Sequence, residues 1–179
     1  MLKPGGTLPD CKLWELLAVE DNSVGFALHS IDVAAQVSDK VIVVFGVPGA
    51  FTTVCSTEHV PGFLDLCAHF KNIGVDEIWC IAVNDVYVLK AWSDQLGVEN
   101  RIRMLSDGNA EFAKAAGLER DLSHRGMGTR LQRFSMLLVN GIIQVLNIEP
   151  EGKFVVSDAQ QLYIQAQGAL DKLSQEEDN

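Results

Sequence analysis

The residues in this 179-residue chain whose type invites chemistry are its four cysteines, Cys11, Cys55, Cys67 and Cys80. None forms a Cys-x-x-Cys pair, and no Cys/His cluster has zinc spacing, so no metal and no cofactor is expected. Cys55 stands apart from the others. It follows an apolar run, Val41 to Phe45, and a loop, Gly46-Val47-Pro48-Gly49, and it opens a helical stretch. Unpaired backbone N–H groups and the positive end of a helix dipole gather at such a place, and both favour a thiolate over a thiol. The thiolate is the nucleophilic form, whereas a free thiol is mostly protonated at neutral pH, its pKa lying near ~8.5. Thr52, three residues earlier, faces Cys55 across one turn. Its hydroxyl can donate to the sulfur, donate to an oxygen bound beside it, or cap the helix. Pro48 either shields the sulfur from water or shapes the turn.

The elements that must hold Cys55 are readable from hydrophobic pattern. Val41–Phe45 and Ile78–Val83 are β-branched, apolar runs expected as strands buried on both faces. Phe63, Leu64, Cys67 and Phe70 recur at helical spacing after Thr52, with Pro61 expected to kink the helix or begin its second part. Cys67 reads as core packing. Asn84-Asp85 offers caps for a helix carrying Val88, Leu89 and Trp92. Ile102–Leu105 is a further strand, and a helix with Phe112, Ala113 and Ala116 ends at Gly117. Asn140-Gly141 joins two β-rich runs, 134–139 and 142–148, as a hairpin. A last amphipathic helix runs from 158 to about 173, capped by Ser157 or Asp158, and the terminal QEEDN reads as a frayed tail. The order implies one α/β domain over residues 1–179, with a central mixed β-sheet flanked by helices.

Composition limits the alternatives. The net charge is −10 and 47% of residues are hydrophobic. So acidic a chain disfavours binding to nucleic acid or to an anionic membrane surface. No unbroken apolar stretch reaches membrane-spanning length. The N-terminal MLKPGGTLPDCKLWEL has neither a secretory core nor an Arg-rich transit pattern, so a cytoplasmic location is expected; a trimmed organelle presequence would leave the same sequence.

The segment Pro48-Gly49-Ala50-Phe51-Thr52-Thr53-Val54-Cys55 resembles the P-x-x-x-T-x-x-C signature of peroxiredoxins. The longer PGAFTTVCSTEHVPGF is similar to their type II, atypical, peroxiredoxin-five-like subgroup. The resemblance continues through Ile81-Ala82-Val83-Asn84-Asp85, Lys90-Ala91-Trp92, Gly126-Met127-Gly128-Thr129-Arg130 and Arg133-Phe134-Ser135-Met136, from about residue 3 to 170.

The resemblance implies a thioredoxin fold and a thiol-dependent peroxidase acting on hydrogen peroxide and alkyl hydroperoxides, with a role in antioxidant defence. It implies that Cys55 is the peroxidatic cysteine, Thr52 the threonine that bonds sulfur and peroxide, Pro48 the shielding proline, and Arg133 the arginine that completes the pocket. On its own, Arg133 at a strand start reads as a solvated arginine; Arg130 is the other candidate cation. His59, one turn after Cys55, is read as making a structural hydrogen bond. Attack on peroxide leaves a sulfenic acid that must be reduced. Cys80, 25 residues after Cys55, matches the resolving cysteine of some members, although its apolar strand is where an inert thiol is expected. The alternative is a one-cysteine cycle reduced by glutathione, glutaredoxin or thioredoxin. The resemblance also implies a homodimer packed through its active-site loops. A redox sensor with little turnover is the competing reading from another class; a disulfide exchanger is disfavoured by the missing Cys-x-x-Cys.

Overall fold

The structure, a computed structural model, describes residues 2–18 and 25–177. Its elements in chain order are β1 (Lys12–Ala18), β2 (Phe26–Asp32), α1 (Val33–Gln36) and β3 (Val41–Val47). A π-helical turn, Cys55–His59, then runs into α2 (Val60–Asp65) and α3 (Cys67–Asn72). After these come β4 (Glu77–Ala82), α4 (Val86–Leu96), β5 (Arg103–Ser106) and α5 (Glu111–Ala116). β6 (Glu119–Asp121), a 3₁₀ turn at Ser123–Arg125, β7 (Thr129–Leu131), β8 (Phe134–Val139), β9 (Ile142–Ile148) and α6 (Ala159–Glu177) complete the described residues.

Among the described residues, a seven-stranded mixed sheet has the order β2-β1-β5-β4-β3-β8-β9. β3, β4 and β5 are parallel, while β8 is antiparallel to β3. The central strands are covered on both faces, which explains their unbroken apolar sequences. Val43, Phe45, Cys80 and Ala82 pack on one face under α2, α3, α4 and α6. Ile42, Val44, Trp79 and Ile81 pack on the other, beneath α1 and α5. This is the mixed sheet flanked by helices expected from the sequence.

Local chemistry sets the boundaries. Asp85 accepts from the Tyr87 and Val88 amides and caps α4, which ends at Gly97 in a left-handed conformation. Asn140 and Gly141 both take positive φ (48° and 75°), as a tight two-residue hairpin turn requires. Asp158, not Ser157, caps α6 by accepting from the Gln161 amide at 2.9 Å. Pro61 follows directly on the π-helical turn, where the Val60 amide bonds back to the Cys55 carbonyl, and begins the second part of the helix, while the break before α3 falls at Leu66.

Three expectations are revised. The helix expected to end near 173 continues to Glu177, so the expected tail is helical there; the final Asp178 and Asn179 lie outside the described residues. The β1–β2 hairpin is absent from the sequence reading. Its pattern is not a strict alternation, because Trp14, Leu17, Phe26 and Leu28 are exposed apolar residues on strands at the sheet edge. The short β6–β7 pair also escaped, since three-residue strands carry no period.

Candidate active site

The site lies where β3 gives way to the helix. Gly46, near the end of β3, has no room for a side chain: a Cβ there would lie 2.7 Å from Leu131 Cδ2 and closer still to the Phe134 ring. This close approach holds the start of β8, and with it Arg133, against the end of β3. The loop that follows is tied down by Asn84, whose Oδ1 accepts from the Ala50 amide at 2.9 Å. Phe51 adopts φ 62°, a strained value for a non-glycine residue in the turn before the helix.

Cys55 opens the π-helical turn and is fully buried. Arg133, 8% exposed, donates from Nη2 to Cys55 Sγ at 3.3 Å. Its other terminal nitrogen, Nη1, bonds His59 Nδ1 at 2.9 Å. His59 Nε2 in turn meets the Ser157 carbonyl at 3.0 Å. These partners settle the tautomer. A guanidinium only donates and a carbonyl only accepts, so Nδ1 is the acceptor and Nε2 carries the proton. Burial, reinforced by the Arg133 charge, lowers the His59 pKa to about 3, which keeps the ring neutral and Nδ1 free to accept.

A second group holds this chain of bonds from behind. Glu149 is 2% exposed, and its carboxylate accepts from the amides of Val155, Val156 and Ser157 and from the Ser157 hydroxyl, at 2.8–2.9 Å. Burial alone would raise its pKa, but these donors hold it below the ordinary carboxylate value. The loop before α6 is thereby wrapped around one charge. It presents Ser157 to His59 and sets Phe154 against both His59 (ring centroids 5.0 Å apart) and the Arg133 guanidinium (5.4 Å).

The structure brings Cys55, Arg133 and His59 together and sets Thr52 and Pro48 on the wall of an adjoining cleft that Arg133 also lines. Thr52 differs from one expectation. Its hydroxyl donates to the Gly49 carbonyl at 2.7 Å, so its single proton is engaged in the turn and its oxygen remains an acceptor. Arg130 does not join the sulfur: it donates from Nε to the Met127 carbonyl at 2.8 Å and from Nη1 to that of Val83. Cys80 lies in β4 opposite Phe45 and Met104, fully buried, and burial pushes its thiol well above the ordinary value. Cys67 is also in the core, donating to the Arg101 carbonyl at 3.2 Å. Glu149, Phe154 and Ser157 had no signal in the sequence, because a lone acid after a strand and a loop without cysteine have no spacing that points to Cys55.

Comparison with known proteins identifies the family and the fold. The redoxin family profile matches residues 3–163. The chain is 42% identical over 159 residues to Peroxiredoxin-2C of Oryza sativa subsp. japonica, covering 88% of this chain and 94% of that protein. It is 41% identical over 124 residues to Hybrid peroxiredoxin hyPrx5 of Haemophilus influenzae, spanning 68% of this chain and 51% of that longer protein. Among solved structures, reduced Prx3 from Vibrio vulnificus in complex with hydrogen peroxide superposes with a TM-score of 0.83 at 39% identity, covering 93% of this chain and 99% of that one. With a buried cysteine in contact with a guanidinium at the head of a helix on a thioredoxin-like sheet, the chain belongs to the redoxin family and is a peroxiredoxin of the atypical type, a thiol-dependent peroxidase.

Proposed function

We propose that Cys55 is the atom that attacks the peroxide and that Arg133, Thr52 and Pro48 form its working shell. The observation that carries this reading is the Arg133 fork, which spans Cys55 Sγ and His59 Nδ1. The thiolate attacks the terminal oxygen of ROOH. The S–O bond forms as the O–O bond breaks, and ROH leaves after the alkoxide takes a proton. Charge builds on the departing oxygen, so a fixed donor aimed there lowers the barrier. Arg133 supplies it. The Thr52 oxygen, with its own proton given to Gly49, accepts from the peroxide O–H and orients it. Pro48 contributes no N–H and keeps that edge of the site apolar. Hydrogen peroxide and alkyl hydroperoxides both carry the required O–O–H group.

Turnover is proposed to follow a one-cysteine cycle. One external thiol attacks the Cys55 sulfenic acid, releasing water and leaving a mixed disulfide; a second thiol restores the Cys55 thiolate. Glutathione, glutaredoxin or thioredoxin would serve. The burial of Cys80 supports this route over a Cys55–Cys80 bridge, which needs the two Cα atoms within about 7 Å and correctly aimed thiols. Such chemistry suits a compartment that keeps thiols reduced, such as the cytosol. Half-exposed Phe51 beside the site and exposed Tyr87 at the start of α4 support a homodimer packed through the active-site loops. Sedimentation of the reduced protein as monomer alone would remove the dimer.

The test is peroxide consumption with an excess of thiol. Cys55→Ser is expected to lose it while keeping the fold, and Cys80→Ser to retain it. Parent-level consumption by Cys55→Ser would overturn the assignment of Cys55. Single-turnover oxidation of Cys55 with no sustained consumption, under any thiol donor, would favour the sensor reading instead.

A further inference from the structure

The cleft beside Cys55 has a chemistry that peroxide alone does not explain. It encloses about 380 Å³, far more than hydrogen peroxide needs and within the range of organic-ligand sites. Pro48, Leu122, Met127 and Phe154 give it apolar walls, and Thr52 and Arg133 mark its reactive end. Arg120, Arg125 and Lys153 line it too. This is a concentration of cations in a protein with 14 Lys and Arg against 24 Asp and Glu.

With Arg133, four cations line the cleft against two acids, Glu149 and Glu151. The Glu149 carboxylate is turned into its own loop, whose donors surround it. Glu151 is paired to Arg120 at 2.9 Å. Neither Arg125 nor Lys153 forms an ion pair among the described residues, and Arg120 Nε is buried without a hydrogen-bond partner. A cleft with an excess of one sign focuses the field and draws in ligands of the other sign. Guanidinium groups match carboxylates as a fork matches two oxygens.

We propose that this cleft is a substrate subsite for apolar hydroperoxides that carry a carboxylate, the class that includes fatty-acid hydroperoxides. The hydrocarbon lies against Leu122, Met127 and Phe154, the carboxylate meets Arg125 and Lys153, and the hydroperoxide group reaches Thr52, Arg133 and the sulfur beneath. The assignment rests on Cys55 being the peroxidatic atom and names the substrate it is built for. Binding energy from the remote carboxylate then holds the O–O bond in line with the thiolate.

The experiment compares kcat/KM for linoleic acid hydroperoxide and for its methyl ester, both kept monomeric, with dithiothreitol as reductant. The wild type should favour the acid by about tenfold at low ionic strength, a preference that fades as salt screens the cleft. The acid-to-ester ratio should fall towards one in Arg125→Gln/Lys153→Gln. It should rise in Glu151→Gln, which frees Arg120. The opposite signs separate a charge effect from damage to the fold. A wild-type ratio near one, or a ratio indifferent to these changes, overturns the subsite. So does a double variant that keeps the ratio with dithiothreitol but loses rate with glutathione, because the cations would then serve the carboxylates of the thiol. Failure of the wild type to consume hydrogen peroxide would instead sink the peroxidase reading itself.

Discussion

At the scale of single residues, the site depends on a histidine that stays neutral. His59 has a folded-state pKa of about 3 against an ordinary 6.5, because burial and the Arg133 charge both oppose protonation. The unfolded chain therefore binds the extra proton first. Stability is fully present above pH 6.5 and declines as pH falls towards 3. Between pH 6.5 and 4.5 the slope due to this group approaches about 1.4 kcal/mol per pH unit. Denaturant midpoints measured across that window should show the slope in the wild type and lack it in His59→Asn. An equal slope in both would place the ring's neutrality elsewhere. Arg133 supplies two donors to two acceptors at opposite ends of the π-helical turn, which an ammonium cannot reproduce at the same angles. Arg133→Lys should keep the fold and lower kcat/KM for hydrogen peroxide by about 10²-fold, read by stopped-flow oxidation of Cys55.

At the scale of elements, two devices aim the residues. Gly46 lets β8 approach the end of β3. Gly46→Ala forces a Cβ into the Phe134 ring and Leu131, and overpacking of this kind costs about 1–3 kcal/mol. The melting temperature should fall, and peroxidase activity should fall more than stability accounts for, because Phe134 follows Arg133 directly. Glu149 is the other device, gathering the amides of Val155, Val156 and Ser157 before α6. Glu149→Gln removes the negative charge on which these donors converge and sets an NH2 group against the Val155 amide where Oε2 accepts. Amide exchange across residues 150–157 should quicken, and kcat should drop although the residue touches neither sulfur nor the cleft's reactive end. Unchanged exchange would mean that the loop is held by other contacts.

For the whole molecule, one ion-pair network joins the sheet edge to the centre. Arg103 of β5 bonds Glu15 of β1 at 2.6 Å and Glu77 of β4 at 2.9 Å, and its guanidinium lies over Trp79. Burial would raise the Glu77 pKa, but Lys40, Trp79 and Arg103 donate to it and hold it at about 2. Its contribution is therefore present above about 4.5 and lost as pH falls towards 2. Arg103→Met strands Glu15, which is 6% exposed, and should cost about 3 kcal/mol near neutral pH. The wild type and variant should converge as the medium is made acid. A constant difference down to pH 2 would mean that lost packing on Trp79, not charge, carries the effect.

Much of this was legible in the residues themselves. The β-branched runs at 41–45 and 78–83, the Asn140-Gly141 turn and the placing of Cys55 at a helix start follow from local pattern, because burial on two faces, positive φ and helix polarity each demand particular residue types nearby. The P-x-x-x-T-x-x-C segment named Cys55, Thr52 and Pro48 through its resemblance, because they fall within eight consecutive residues. Only the tertiary structure shows the contacts. Arg133, named through the resemblance, reaches Cys55 across 78 positions, His59 meets Ser157 across 98, and Arg130, the runner-up cation by sequence, points to other carbonyls. Such contacts are set by how β8 and the loop before α6 pack onto β3, and separations of that length leave no period in a sequence.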